Sequence, residues 1–237
     1  DVLETASRLD VKNPQSWLAL AEAHLRGNHL ERALQCSQRA AAIEPDSLQA
    51  MLLQGEILIQ MGNLSAAQEI SDKALTQGNS NPDVVVFNVH LLEKRGKKIE
   101  ALAVLEQASK LLPDELSVQL ERAMLIQQVY GSPAALPVVK EMAQKFGNDV
   151  RILAFQAVVQ YECNDATGAE KSAQQALRQE AGQANLHLLM GKIKAGSGQL
   201  DQAIYHLSEA VQLNPADVEG YLELGKAYQD RREQEKA

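Results

Sequence analysis

The residues able to do chemistry are few and scattered. Five histidines, His24, His29, His90, His187 and His206, fall in different segments. None belongs to the His-Glu-x-x-His pattern that sets two imidazoles on one helical face to hold zinc. Cys36 and Cys163 each stand without a second cysteine at metal-binding spacing, and Cys36 lies between Gln35 and Ser37 with no base beside it to hold a thiolate. Gly196-Ser197-Gly198 has the glycines of a phosphate loop but not the preceding strand or the closing Gly-Lys-Ser/Thr, so it reads as a turn between helices. Lys94-Arg95-Gly96-Lys97-Lys98 is the one basic run and reads as a solvated turn. No catalytic set, metal or cofactor is expected, so function has to come from a surface.

Composition narrows the elements that build such a surface. The chain has 237 residues, 45% hydrophobic but only 4% aromatic, with a formal net charge of −8. That balance suits a helical protein rich in Ala, Leu and Gln. It argues against nucleic acid, whose phosphates are met by clustered Lys and Arg. No stretch approaches the roughly 18 consecutive apolar residues of a membrane span, and no charged-then-apolar leader opens the sequence. The two cysteines sit almost four repeats apart, too far for a disulfide, so they do not report the compartment. Cytoplasm and periplasm both remain open.

The organising signal is periodic. Ala33, Ala67, Ala101, Ala135, Ala169, Ala203 and Ala237 stand 34 residues apart, and Ala21, Gly55, Val89, Ala123, Ala157, Gly191 and Gly225 keep the same step. A third ladder reads Ala40, Ala74, Ala108, Met142, Ala176 and Ala210. Helices approach closely only where side chains are small, so periodic small residues imply periodic helix crossings. Turn signals recur mid-repeat at Gly27-Asn28, Gly62-Asn63, Arg95-Gly96, Tyr130-Gly131, Asn164-Asp165 and Gly198-Gln199. Between repeats, Asp and Ser beside Pro45, Pro82, Pro113 and Pro215 end one helix and cap the next. About fourteen helices of roughly 12 to 15 residues are predicted, with no strands.

The pattern Trp17-x-x-Leu20-Ala21-x-x-His24, followed by Ala33, Ala40 and Pro45, resembles a tetratricopeptide repeat. So does Tyr221-x-x-Leu224-Gly225-x-x-Tyr228 after Ala203, Leu207, Ala210 and Pro215. The resemblance implies an all-α, right-handed α-solenoid of antiparallel helix pairs. It divides the chain into the second helix of a truncated repeat (1–13), six repeats (14–47, 48–81, 82–115, 116–149, 150–183 and 184–217) and the first helix of a seventh (218–237). On this reading the sequence is a piece of a longer chain whose cut ends are free to self-associate. The aromatic slot filled by Trp17 and Tyr221 becomes Met51, Val85, Gln119, Leu153 and His187, and the 116–149 repeat is degenerate, with Met142 for Ala. Pro137 inside its second helix predicts local irregularity without loss of the fold. His24 and His187 take packing slots and are expected in or near the core.

The resemblance also implies a concave groove lined by first helices that binds another polypeptide. The positions carried over are Leu18, Glu22, Leu52, Leu53, Glu56, Val86, Phe87, His90, Leu120, Met124, Phe155, Val158, Tyr161, Leu188 and Lys192. Leu53, Phe87 and Phe155 face the groove in one helix rotation and the core in another. The row Glu22, Glu56, His90, Met124, Val158, Lys192 and Lys226 runs from acidic to basic and would orient a charged ligand. Neither the carboxylate-gripping Lys/Arg/Asn set nor the asparagine ladder of known relatives is present. A peptide or helix offering apolar side chains fits better. The function expected is a non-catalytic protein-binding scaffold. Two further readings are a recruiting arm of a larger enzyme and a periplasmic scaffold of an export or pilus assembly system.

Overall fold

The computed structural model describes residues 12–78 and 80–234. The predicted helix over Val2–Val11 lies outside the described residues. Among those described, thirteen helices and no strand are found. The chain divides into two compact units, Asp1–Leu125 and Ile126–Ala237.

In the first unit, α1 (Pro14–Arg26), α2 (Leu30–Ile43), α3 (Leu48–Gln60), α4 (Leu64–Gly78), α5 (Pro82–Lys94) and α6 (Lys98–Leu111) follow in sequence, and the unit boundary falls within α7 (Leu116–Tyr130). Each of α1 to α5 packs on the helix after it, and α3 also packs on α1 and α5. The second unit continues with α8 (Ser132–Phe146), α9 (Val150–Glu162), α10 (Ala166–Gln179), α11 (Ala184–Gly196), α12 (Leu200–Leu213) and α13 (Val218–Gln234). Here too each helix from α8 to α12 packs on the next, and α11 packs on α13. Odd-numbered helices are the first of each pair and even-numbered helices the second. The small-residue ladders sit at the crossings: Ala33, Ala67, Ala101, Ala135, Ala169 and Ala203 are all fully buried.

The mid-repeat turns explain why the period is so regular. Asn28, Gly62, Gly96, Asn164 and Gly198 share one phase of the 34-residue step, and all five adopt φ between 56° and 76°. In each turn the N–H of the next residue donates back to the first helix, at 2.8–2.9 Å, as in Lys97 to Leu92 O and Gln199 to Lys194 O. That bond closes the helix terminus and fixes where the second helix starts. The degenerate repeat departs here, because Tyr130 holds the turn position and the left-handed residue is Gly131, one place later (φ 84°). Left-handed backbone crowds any Cβ, so Gly198→Ala is expected to cost about 1–2 kcal/mol. Asn164→Gly should be neutral or slightly stabilising, and thermal melts of the two variants measure the contrast.

Short polar side chains begin the helices. Asn13, Ser47, Asn81, Asp149 and Asp165 accept hydrogen bonds from the first-turn N–H groups of α1, α3, α5, α9 and α10. α8 runs unbroken from Ser132 to Phe146 despite Pro137. The missing N–H leaves only the Pro133 carbonyl without its helical donor, and Pro137 is exposed, where water serves instead.

Candidate functional site

In the first unit, three successive first helices are joined by a polar rung. His90 on α5 places Nδ1 2.9 Å from Glu56 Oε1 on α3 and Nε2 3.6 Å from Glu121 Oε1 on α7. Spacings of three or four residues put Leu53, Val86 and Met124 on the same helix faces as Glu56, His90 and Glu121, and Leu120 precedes Glu121 directly in sequence. Leu53, Val86 and Leu120 are half-buried, while Met124 and Glu22 are exposed. The rung therefore marks a face on which apolar side chains retain accessible area.

The Glu121 and Glu56 carboxylates beside His90 push its pKa up to about 10, against the opposing effect of burial. The imidazolium is thus the working form at neutral pH. Because the folded pKa is raised, this stabilisation is full below the unfolded value near 6.5. It is lost as pH rises through about 10. Stability of the first unit is expected to decline between pH 7 and 10, and His90→Gln to flatten that decline. Chemical denaturation at several pH values checks both, and an identical slope in the variant would rule the rung out as its source.

Three of the positions assigned to the groove from sequence belong to the core instead. Leu18 is 1% exposed, Leu52 9% and Phe87 2%. Phe87 packs with Leu52, Ile70, Val84 and Leu91. The physical reason is Gly55: a Cβ built there would stand 2.4 Å from Phe87 Cζ, so the missing side chain is the space the ring fills. Leu53 and Phe155, left open with Phe87, stay half-buried, and Leu53 packs on the Trp17–Ala50 cluster.

In the second unit, Val158 and Tyr161 lean on the core of α9 to α11, and Leu188 on the α12–α13 cluster. Two clefts of about 400 and 440 Å3 share Tyr161, Lys192 and Gly196. The basic end of the expected charge row is neutralised locally, since Lys192 is bonded to Glu219 and Lys226 lies 2.8 Å from Glu223. A basic pole at Lys192 and Lys226 is therefore not what a ligand would meet there.

The aromatic slot has a second use that residue types alone did not reveal. Gln119 Nε2 donates to the Ser109 carbonyl oxygen (3.2 Å), and His187 Nε2 lies 3.0 Å from that of Ala181. Both side chains reach back to tie down the stretch joining their helix to the one before. Six residues separate His187 from Ala181, and Gln119 stands at the same offset from Pro113, whose carbonyl oxygen it also approaches (3.5 Å). Cys36 is buried and Cys163 half-buried, and the two are not joined in a disulfide. Among the described residues no three metal-donating side chains converge, and no helix is long and apolar enough to cross a membrane.

Comparison with known proteins is consistent with this architecture. A tetratricopeptide repeat family model matches residues 18–82, and a TPR repeat model matches residues 191–230. The human tetratricopeptide repeat protein 7A is 31% identical over 105 residues, which is 44% of this chain but only 11% of that protein. The chain thus spans about a tenth of that relative. Among solved structures, the APC/C hetero-tetramer Cut9–Hcn1 superposes with a TM-score of 0.72 at 14% identity, covering 95% of this chain and 45% of that one. A tetratricopeptide repeat protein from Parabacteroides merdae gives 0.70 at 14% identity, covering 95% and 90%. Pseudomonas aeruginosa pilF gives 0.63 at 18% identity, covering 90% and 97%.

Proposed function

Because this chain is a tetratricopeptide repeat protein, we propose that it acts as a non-catalytic scaffold whose first-helix faces take an apolar peptide or helix of another protein. Repeats of this kind generally mediate protein interactions. The observation that carries the finer reading is the rung Glu56–His90–Glu121, flanked by Leu53, Val86, Leu120 and Met124. Polar groups fixed at the centre of an apolar face give orientation, and the surrounding side chains give contact area. A stacked-helix host holds these groups in place beforehand, so little ordering cost falls on the scaffold when a flexible partner binds. In the second unit the corresponding contacts are Phe155, Val158, Tyr161, Leu188 and Lys192, of which Tyr161 and Lys192 line both clefts.

Selection of peptides from a random display library on the immobilised protein tests the proposal. The expected binders carry apolar residues at helical or alternating spacing. Met124→Asp should weaken them about tenfold or more, as a lost central contact costs upward of about 1.4 kcal/mol. Met124 is 37% exposed, so its replacement leaves the melting temperature near that of the wild type. Unchanged affinity in folded Met124→Asp and Leu120→Asp variants would defeat the assignment of this face.

A further inference from the structure

Two imidazoles meet in the second unit, and neither lines the two clefts. His187 on α11 is 7% exposed and His206 on α12 is half-buried. Their Nδ1 atoms are 3.2 Å apart, with the ring centroids 5.3 Å apart and the planes tilted by 44°. The tautomer of His187 follows from its other partner. The Ala181 carbonyl oxygen has no proton to give, so His187 Nε2 carries the hydrogen and its Nδ1 presents a lone pair toward His206.

We propose that His187 Nδ1 and His206 Nδ1 form a bidentate site for a divalent transition-metal ion of the zinc, nickel or copper class. Imidazole nitrogens bind such ions at about 2.0–2.1 Å, so two nitrogens 3.2 Å apart subtend about 100° at the metal, close to the tetrahedral value. The hydrogen bond from His187 Nε2 to a backbone carbonyl is the support that metal-bound imidazoles regularly have, since it fixes both ring orientation and tautomer. His206 exchanges its Nδ1 hydrogen for one on Nε2 when the ion enters, so no net proton is released.

The surrounding charges permit the ion. Lys194 opposes a cation, but its ammonium is paired with Glu170 at 2.7 Å. Glu170 and Glu209 contribute negative potential at His206, and Glu209 stands one turn further along α12. The Tyr205 ring packs edge-on against His206 (centroids 5.1 Å apart), and His206 is only half-buried. Because no third donor converges among the described residues, water completes the coordination.

The test uses the full chain and Ni2+, which is paramagnetic and not reduced by the two thiols. The imidazole proton resonances of His187 and His206 are expected to broaden at substoichiometric Ni2+, while those of His24, His29 and His90 persist. Calorimetric titration with Zn2+ should show one site, weakened about tenfold or more in His206→Gln. That variant's melting temperature without metal checks that it is folded. Uniform broadening of all five histidines, or Zn2+ binding unaltered in folded His206→Gln, overturns the proposal.

Discussion

Phe87→Ala is expected to destabilise the first unit by about 3–5 kcal/mol, read as a fall in the urea midpoint at unchanged slope. The ring is 2% exposed and occupies the volume that Gly55 leaves by lacking a side chain. Truncating it removes the packing of Leu52, Ile70 and Leu91 on one side and opens a void beside a glycine that cannot fill it. A double-mutant cycle sharpens the expectation. Gly55→Ala alone should be costly, because its Cβ would stand 2.4 Å from the ring. In the Phe87→Ala background the same change should be close to neutral or favourable. A loss below about 1 kcal/mol for Phe87→Ala would mean that the ring lies on the binding face after all. The same packing dictates that charge placed at Leu52 or Phe87 unfolds the unit rather than probing a ligand, so tests of binding belong at Leu120 and Met124.

The second large effect is asymmetric. Lys194 is a buried cation, its side chain 8% exposed and held 2.7 Å from Glu170, with Gln199 Oε1 a weaker second acceptor at 3.2 Å. Glu170→Ala removes the countercharge from a nearly dry ammonium and is expected to cost about 3 kcal/mol. Lys194→Met should cost less than about 1 kcal/mol, because an apolar chain of similar length fills the space. The Glu170 carboxylate, 28% exposed, keeps both water and the Gln174 amide at 2.9 Å. Chemical denaturation of the two variants at neutral pH decides it, and equal losses would mean that the pair is better solvated than its burial implies.

The secondary structure was legible because each signal is local and repeats. Asn28, Gly62, Gly96, Asn164 and Gly198 can be read as turn residues from type alone, and the structure gives all five the left-handed backbone that type implies. The turn at Tyr130-Gly131 was equally visible, but that its left-handed residue stands one place along, at Gly131, came from the structure. The surface was legible only in part. Of the positions read from the period as surface, Glu56 and His90 are half-buried and Met124 is exposed, whereas Leu18, Leu52 and Phe87 are buried. A usable signal for Phe87 was present: position 55 of the second ladder holds glycine, the smallest of its residues, with a bulky ring 32 residues on. Reading it requires knowing which residue of the following helix lies against that glycine.

By itself, then, the sequence determined the turn positions, the succession of helices and most of the small residues buried where those helices meet. These depend on backbone chirality and side-chain size within one period, and the recurrence of the period reports them again and again. Only the tertiary structure decided which side chains of each first helix stay accessible. It alone brought His90 between two carboxylates from neighbouring helices, paired Lys192 with Glu219, and set His187 against His206. Helix rotation is fixed by the packing of unlike side chains in adjacent repeats, and a few tens of degrees separate a buried ring from an exposed one. No residue's own type encodes that angle.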